Sequence, residues 1–125
     1  MLQDPANDPP PDWPLRAHAR RIRARHDWWV VEHGEGPEIL LLHGAGGSGH
    51  SFRTLAPMLD GFRCLIPDLP GQGFTRAGSR GRFGIVPMAE DLAALMTAAG
   101  WQPRLVIGHS AGVPLALQLS TLLPL

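Results

Sequence analysis

The chain has 125 residues, 44% of them hydrophobic, and no formal net charge at pH 7. Such a length bounds it to one small domain with enough apolar side chains for a packed core, and zero net charge removes any overall electrostatic case for nucleic acid or an anionic membrane as partner. No secretory apolar region follows the proline-rich start and no apolar run approaches the ~20 residues that span a bilayer, so the expectation is a soluble, cytoplasmic protein.

Residues 1–15 hold five of the 13 prolines and three aspartates. That composition cannot bury enough surface to offset ordering, which predicts a mobile arm at 1–15 and one folded unit over 16–125. Trp13 is the exception in the arm, a ring that either docks on the body or on a partner or, as is more common, stays half-exposed. All 11 basic residues are arginine, and five of them lie between positions 16 and 25. Here the alternation Arg21, Ile22, Arg23, Ala24, Arg25 predicts a half-buried edge strand, turning at His26-Asp27 into a second strand, Trp28 to Glu32. No nucleic-acid motif surrounds these arginines, and arginine on an edge strand guards against edge pairing, so they read as a solvated edge.

Gly34-Glu35-Gly36-Pro37 turns the chain into a buried strand, Ile39 to Leu42, which runs directly into the glycine-rich stretch His43-Gly44-Ala45-Gly46-Gly47-Ser48. Phe52, Leu55 and Leu59 are spaced for one face of a helix. The next strand, Cys64-Leu65-Ile66, holds the only cysteine, which excludes a disulfide within the chain and suits a buried, inert thiol. It closes on Pro67-Asp68-Leu69-Pro70-Gly71-Gln72-Gly73-Phe74-Thr75, where Asp68 is expected to brace the turn through nearby amides rather than act as an acid. Leu92, Leu95, Met96 and Ala99 mark a helix stopped by Gly100. A last apolar strand, Leu105 to Ile107, enters Gly108-His109-Ser110-Ala111-Gly112. Strands alternating with helices call for an α/β fold, a mostly parallel sheet with helices on both faces.

The chemistry concentrates at the two strand-to-helix turns. A serine on a sharp strand-to-helix bend is held clear of the sheet, and only tiny residues fit two positions before and after it, hence Gly108 and Gly112. Ser110 is therefore the candidate nucleophile. The amide of Ala111 and, from the earlier glycine loop, the amide of Ala45 are the candidate oxyanion donors, with Gly44, Gly108, His109 and Gly112 in support. Either loop alone also reads as a phosphate-binding glycine turn. A dinucleotide fingerprint, however, would require G-x-G-x-x-G and an acid about 20 residues later, and no acid follows Gly112.

These segments, in this order, resemble the α/β-hydrolase family from about Arg20 to the last residue. The resemblance implies a central sheet of strand order 1-2-4-3-5-6-7-8, a nucleophile after the fifth strand, and a Ser, then Asp or Glu, then His triad in chain order. Four stretches carry a closer likeness to the accessory proteins of magnesium insertion in bacteriochlorophyll biosynthesis: Asp12-Trp13-Pro14 with Arg16-Ala17, the run from Leu41 to Ser51, Pro67 to Gly71 with Gly73-Phe74-Thr75, and Gly108 to Gly112. That likeness implies magnesium chelatase as a partner and a small ester or porphyrin-related substrate. Gln72 departs from the pattern, which more usually has histidine between the two glycines.

Residues 111–125 contain no Asp, Glu or His, so the triad acid and base are missing. None of His18, His26, His33, His43, His50 and His109 is expected to serve as the base. His43 and His50 lack the spacing of a metal site, and no H-E-x-x-H or paired Cys and His pattern exists, so no metal or cofactor is expected. The sequence thus reads as the N-terminal half of a hydrolase, truncated after the helix that follows the serine, inactive or very weak alone, and prone to aggregate along a bare strand edge. Three functions stay open: a serine hydrolase acting on esters, a non-catalytic accessory factor, and an inert fragment.

Overall fold

The computed structural model describes residues 15–78 and 84–123. The arm expected at 1–15 lies outside them apart from Leu15, as does Trp13. The elements are β1 (Ala19–Ala24), β2 (His26–His33), β3 (Glu38–Leu42), α1 (Leu55–Met58), β4 (Arg63–Pro67), α2 (Ile85–Ala99), β5 (Leu105–Gly108) and α3 (Gly112–Ser120), with 3-10 turns at Arg16–His18 and Gly49–Phe52.

The five strands form one mixed sheet of order β1-β2-β4-β3-β5, the order the resemblance implies for the first five. The β1–β2 hairpin is antiparallel and β2 joins β4 antiparallel, whereas β4, β3 and β5 run parallel. Parallel neighbours need crossovers, which put helices on the faces and bury both sides of the central strands. The uninterrupted apolar run of β3 follows from this. Leu40 and Leu42 join Leu65, Leu92, Leu95, Leu115 and Leu119 in one core under α2 and α3. Ile39 and Leu41 face the other way, onto Phe52, Ala56, Cys64 and Ile66. Cys64 is fully buried and its thiol pKa is pushed up by that burial.

Two elements differ from the sequence reading. The helix expected over Phe52, Leu55 and Leu59 is a 3-10 turn followed by a single α-turn, with Phe52 buried but Leu55 exposed. Pro57 explains the break, because it has no N–H for the carbonyl four residues back and its ring crowds that carbonyl. The hairpin turns on Arg25 alone, at φ 65°, with Ala24 opposite His26. His26 is accordingly a buried strand residue and not part of the turn. Gly78 N–H donates to its Nδ1 at 2.8 Å, which leaves Nε2–H facing Asp91 Oδ2 at 2.7 Å.

The arginines of β1 and of the turn after it do more than face solvent. Arg21 donates to Phe74 O at 2.7 Å and lies over the Trp29 ring, and Arg25 pairs with buried Asp91 at 3.0 Å. Arg20 Nε reaches Glu32 Oε1 at 2.5 Å, while Trp101 Nε1–H and Arg63 approach Oε2 of the same carboxylate at 2.8 and 3.3 Å. Burial pushes the Glu32 pKa up, but the hydrogen bonds of Arg20 and Trp101 and the charges of Arg20 and Arg63 outweigh it, and the carboxyl is held below its ordinary range. A depressed carboxyl contributes stability that is complete above the unfolded-chain pKa of about 4.3 and is lost as pH falls through the folded value. Glu32→Gln should therefore unfold more readily than the parent above about pH 4.3 and converge with it in stronger acid. Urea midpoints measured across that range check this, and parallel curves would contradict it.

β5 forms one edge of the sheet. Leu105 is 51% exposed there, and on α3 Val113 and Leu117 are 45% and 67% exposed. Among the described residues, no helix is long and apolar enough to cross a membrane.

Candidate functional site

Ser110 sits between β5 and α3 with φ at 56°, one of three non-glycine residues at positive φ among those described. A side chain in this left-handed region is held there at a penalty of about 1–3 kcal/mol, tolerated where the surroundings over-determine it. They do so here. Gly112 N–H donates to His109 O and Val113 N–H to Ser110 O, each at 3.0 Å, and His109 N–H donates to Leu42 O, also at 3.0 Å, tying the bend to the end of β3. The two flanking glycines are required sterically. A Cβ at position 108 would run into the backbone of Gly112 and lie 2.7 Å from Val113 N, and one at 112 would run into Leu42 O and lie 3.0 Å from His43 O. Ser110, His109 and Ala111 are exposed.

The glycine loop after β3 lies against this bend. A Cβ on Gly44 would sit 3.2 Å from Ser110 Cβ and 3.7 Å from its Oγ, so the loop backbone passes directly over the serine. Ala45 at its tip is exposed. Among the described residues, nothing accepts a hydrogen bond from the N–H of Ala45 or of Ala111. Ala111 precedes the first turn of α3, where unpaired amides and the helix dipole both favour negative charge.

His43 is fully buried beneath the loop. Leu69 N–H donates to its Nε2 at 2.9 Å, so Nδ1 carries the proton and donates to Gly44 O at 2.7 Å. Both ring nitrogens are occupied by backbone. Asp68 is buried as well and accepts from Gly49 N–H at 2.6 Å and Phe74 N–H at 2.8 Å. Burial pushes its carboxyl pKa up, opposed by those two amides and by His43 and Arg21. It braces the turn after β4, as its place in that turn leads one to expect.

The remaining histidines are elsewhere. His26 belongs to the Asp91 pair, His18 and His33 meet edge-to-face at 4.8 Å, and His50 contacts Arg53 at 3.1 Å. Among the described residues, no histidine is hydrogen-bonded to Ser110, and no group of three or more His, Cys, Asp or Glu side chains is placed to hold a metal ion. Gln72, which the sequence marks only as a departure from the family pattern, has a structural role: its Oε1 accepts from Gly46 N–H at 2.8 Å. A polar side chain between two glycines on a turn was the signal available for it.

The model of the α/β hydrolase fold matches residues 37–124. This chain belongs to the α/β-hydrolase family. It is 51% identical over 115 residues to the Magnesium-chelatase 30 kDa subunit of Rhodobacter capsulatus, covering 89% of the chain and 40% of that protein. Among solved structures it superposes on a mutant epoxide hydrolase of Vigna radiata with a TM-score of 0.75 at 30% identity, over 83% of the chain and 34% of that one. It also matches Cfl2 of Burkholderia cenocepacia with a TM-score of 0.80 at 28% identity, over 85% and 37%. This α/β-hydrolase chain thus spans 40% or less of each of these relatives.

Proposed function

We propose that the whole protein carrying this α/β-hydrolase chain is a serine hydrolase that cleaves a small ester or related acyl compound through Ser110. The observation that carries the reading is an exposed serine at φ 56° on a strand-to-helix bend, with the Gly44 backbone against it. On this reading the bend is a nucleophile elbow, and the free amides of Ala45 and Ala111 form the oxyanion hole. A base outside the described residues takes the Ser110 proton as Oγ attacks the carbonyl carbon. The two amides stabilise the oxyanion, the alcohol leaves with the proton, and water then releases the acid and restores the serine. A serine at this position favours acyl transfer over the epoxide chemistry named for the Vigna relative, where a carboxylate nucleophile would be expected. The 125 residues alone lack that base and are inactive or very weak, with the amides and binding leaving a residual of about 10³ to 10⁴ over water at most. On this reading the protein works in the cytoplasm.

The 51% identity to a protein named as a magnesium-chelatase subunit favours a second reading, a non-catalytic accessory factor whose partner is magnesium chelatase and whose small-molecule ligand is porphyrin-related. Ser110→Ala separates the two. Loss of ester hydrolysis together with loss of stimulated magnesium insertion into protoporphyrin supports the enzyme. Unchanged stimulation by the variant would assign the accessory role.

A further inference from the structure

The loop over Ser110 has little packing to hold its tip. Ala45 and Gly46 are exposed, Gly46 takes φ 74°, and the space a Cβ would occupy at Gly46 is empty for 4 Å. An unpacked tip takes its orientation from hydrogen bonds. Three of these come from one segment, the turn after β4. Leu69 N–H binds His43 Nε2 at the start of the loop, Asp68 Oδ1 accepts from Gly49 N–H at its end, and Gln72 Oε1 accepts from Gly46 N–H in the middle.

The first anchor acts on Ala45 through peptide geometry. Gly44 O accepts from His43 Nδ1–H at 2.7 Å and from Gly47 N–H at 3.0 Å. No peptide bond among the described residues is cis, so the Ala45 N–H, in the same planar unit, points away from those donors. The next peptide unit, Ala45 to Gly46, is free to rotate about Ala45 unless its own N–H is held. Gln72 is the side chain that holds it. Its position is in turn fixed by Gly71 and Gly73 at φ 75° and 54°, by Gln72 N–H donating to Leu69 O at 2.9 Å, and by Asp68 accepting from Phe74 N–H.

We propose that Gln72 is a positioning residue for the oxyanion hole: by holding the Gly46 N–H it fixes the Gly44–Gly47 turn, whose first peptide unit carries the Ala45 amide aimed at the reacting carbonyl. The proposal rests on the hydrolase reading. It assigns Gln72 no contact with substrate, and its effect falls on acylation and deacylation alike, because the tetrahedral oxyanions of both steps use the same two amides. A donor displaced by about 1 Å reduces turnover by up to about 100-fold.

The test uses the whole protein, p-nitrophenyl acetate as probe, and amide hydrogen exchange at Gly46. Gln72→Met keeps the length of the side chain and removes the acceptor. It should lower kcat about 10- to 100-fold with KM within about twofold, lose protection at the Gly46 amide, and leave the thermal midpoint unchanged. Gln72→Glu keeps an acceptor at the same reach and should restore that protection. A kcat for Gln72→Met within about twofold of the parent overturns the proposal, as does a falling thermal midpoint in both variants with Gly46 protection unaltered. If Ser110→Ala is as active as the parent, the hydrolase reading fails instead, and Gly46 exchange alone still decides whether Gln72 holds the loop.

Discussion

Ser110→Ala in the whole protein is expected to lower ester turnover by on the order of 10⁶-fold, the effect of removing a nucleophile whose partners act as a unit with it. KM should change little, because the hydroxyl makes its decisive interaction only as the bond to carbon forms. The substitution also takes a residue at φ 56° to another with a Cβ, so it removes the oxygen without relieving the backbone. Folding should be preserved, and circular dichroism together with thermal unfolding verifies this. Burst kinetics with an activated ester give the sharper readout: the parent releases one equivalent of alcohol before steady state, and the variant releases none. A variant that keeps both the burst and the turnover would remove Ser110 from the chemistry.

Gly112→Ala should lower stability as well as turnover. Its Cβ would run into Leu42 O and lie 3.0 Å from both Leu42 C and His43 O. All three atoms belong to the backbone where β3 becomes the glycine loop, so no side chain can swing aside. Relief requires moving α3 off the central strand, and the overpacking is expected to reduce the unfolding free energy by roughly 1–3 kcal/mol. The same movement pulls the Ser110 bend from Gly44. Gly112→Ala should accordingly lose stability and turnover together, whereas Ser110→Ala loses turnover alone. Chemical denaturation of the three proteins side by side checks this, and a Gly112→Ala midpoint equal to the parent's would show that the bend tolerates a Cβ.

Much of the site was legible along the chain because its parts are consecutive. Glycines at 108 and 112 around Ser110, each following or preceding a strand or helix signal, state a local steric requirement that needs no distant partner. The glycine run 44–47 after an apolar strand is legible for the same reason. Asp68 in a proline and glycine turn announces a side chain bonded to nearby amides, and it does accept from Phe74. Its second bond, to Gly49, joins two loops far apart in sequence and had no local signature. The apolar spacing at 52, 55 and 59 points to a longer helix after β3 than forms, because spacing registers side chains and not the missing N–H of Pro57. The arginines of β1 and of the hairpin turn read as a solvated fringe along the chain because the partners of Arg20, Arg21 and Arg25, namely Glu32, Phe74 and Asp91, come from β2, the turn after β4 and α2.

The sequence by itself determined the local order of this protein: which runs are strands, where glycine must stand, and that Ser110 occupies a sharp bend. Those are properties of short segments, set by backbone sterics and apolar periodicity. Only the tertiary structure decided that His43 holds the Gly44 carbonyl and Gln72 the Gly46 amide, that His26 is buried against Asp91, and that Gly44 lies over the serine. Hydrogen bonds between segments depend on how β3, β4 and β5 stack side by side, and that pairing register is not written in any one of them.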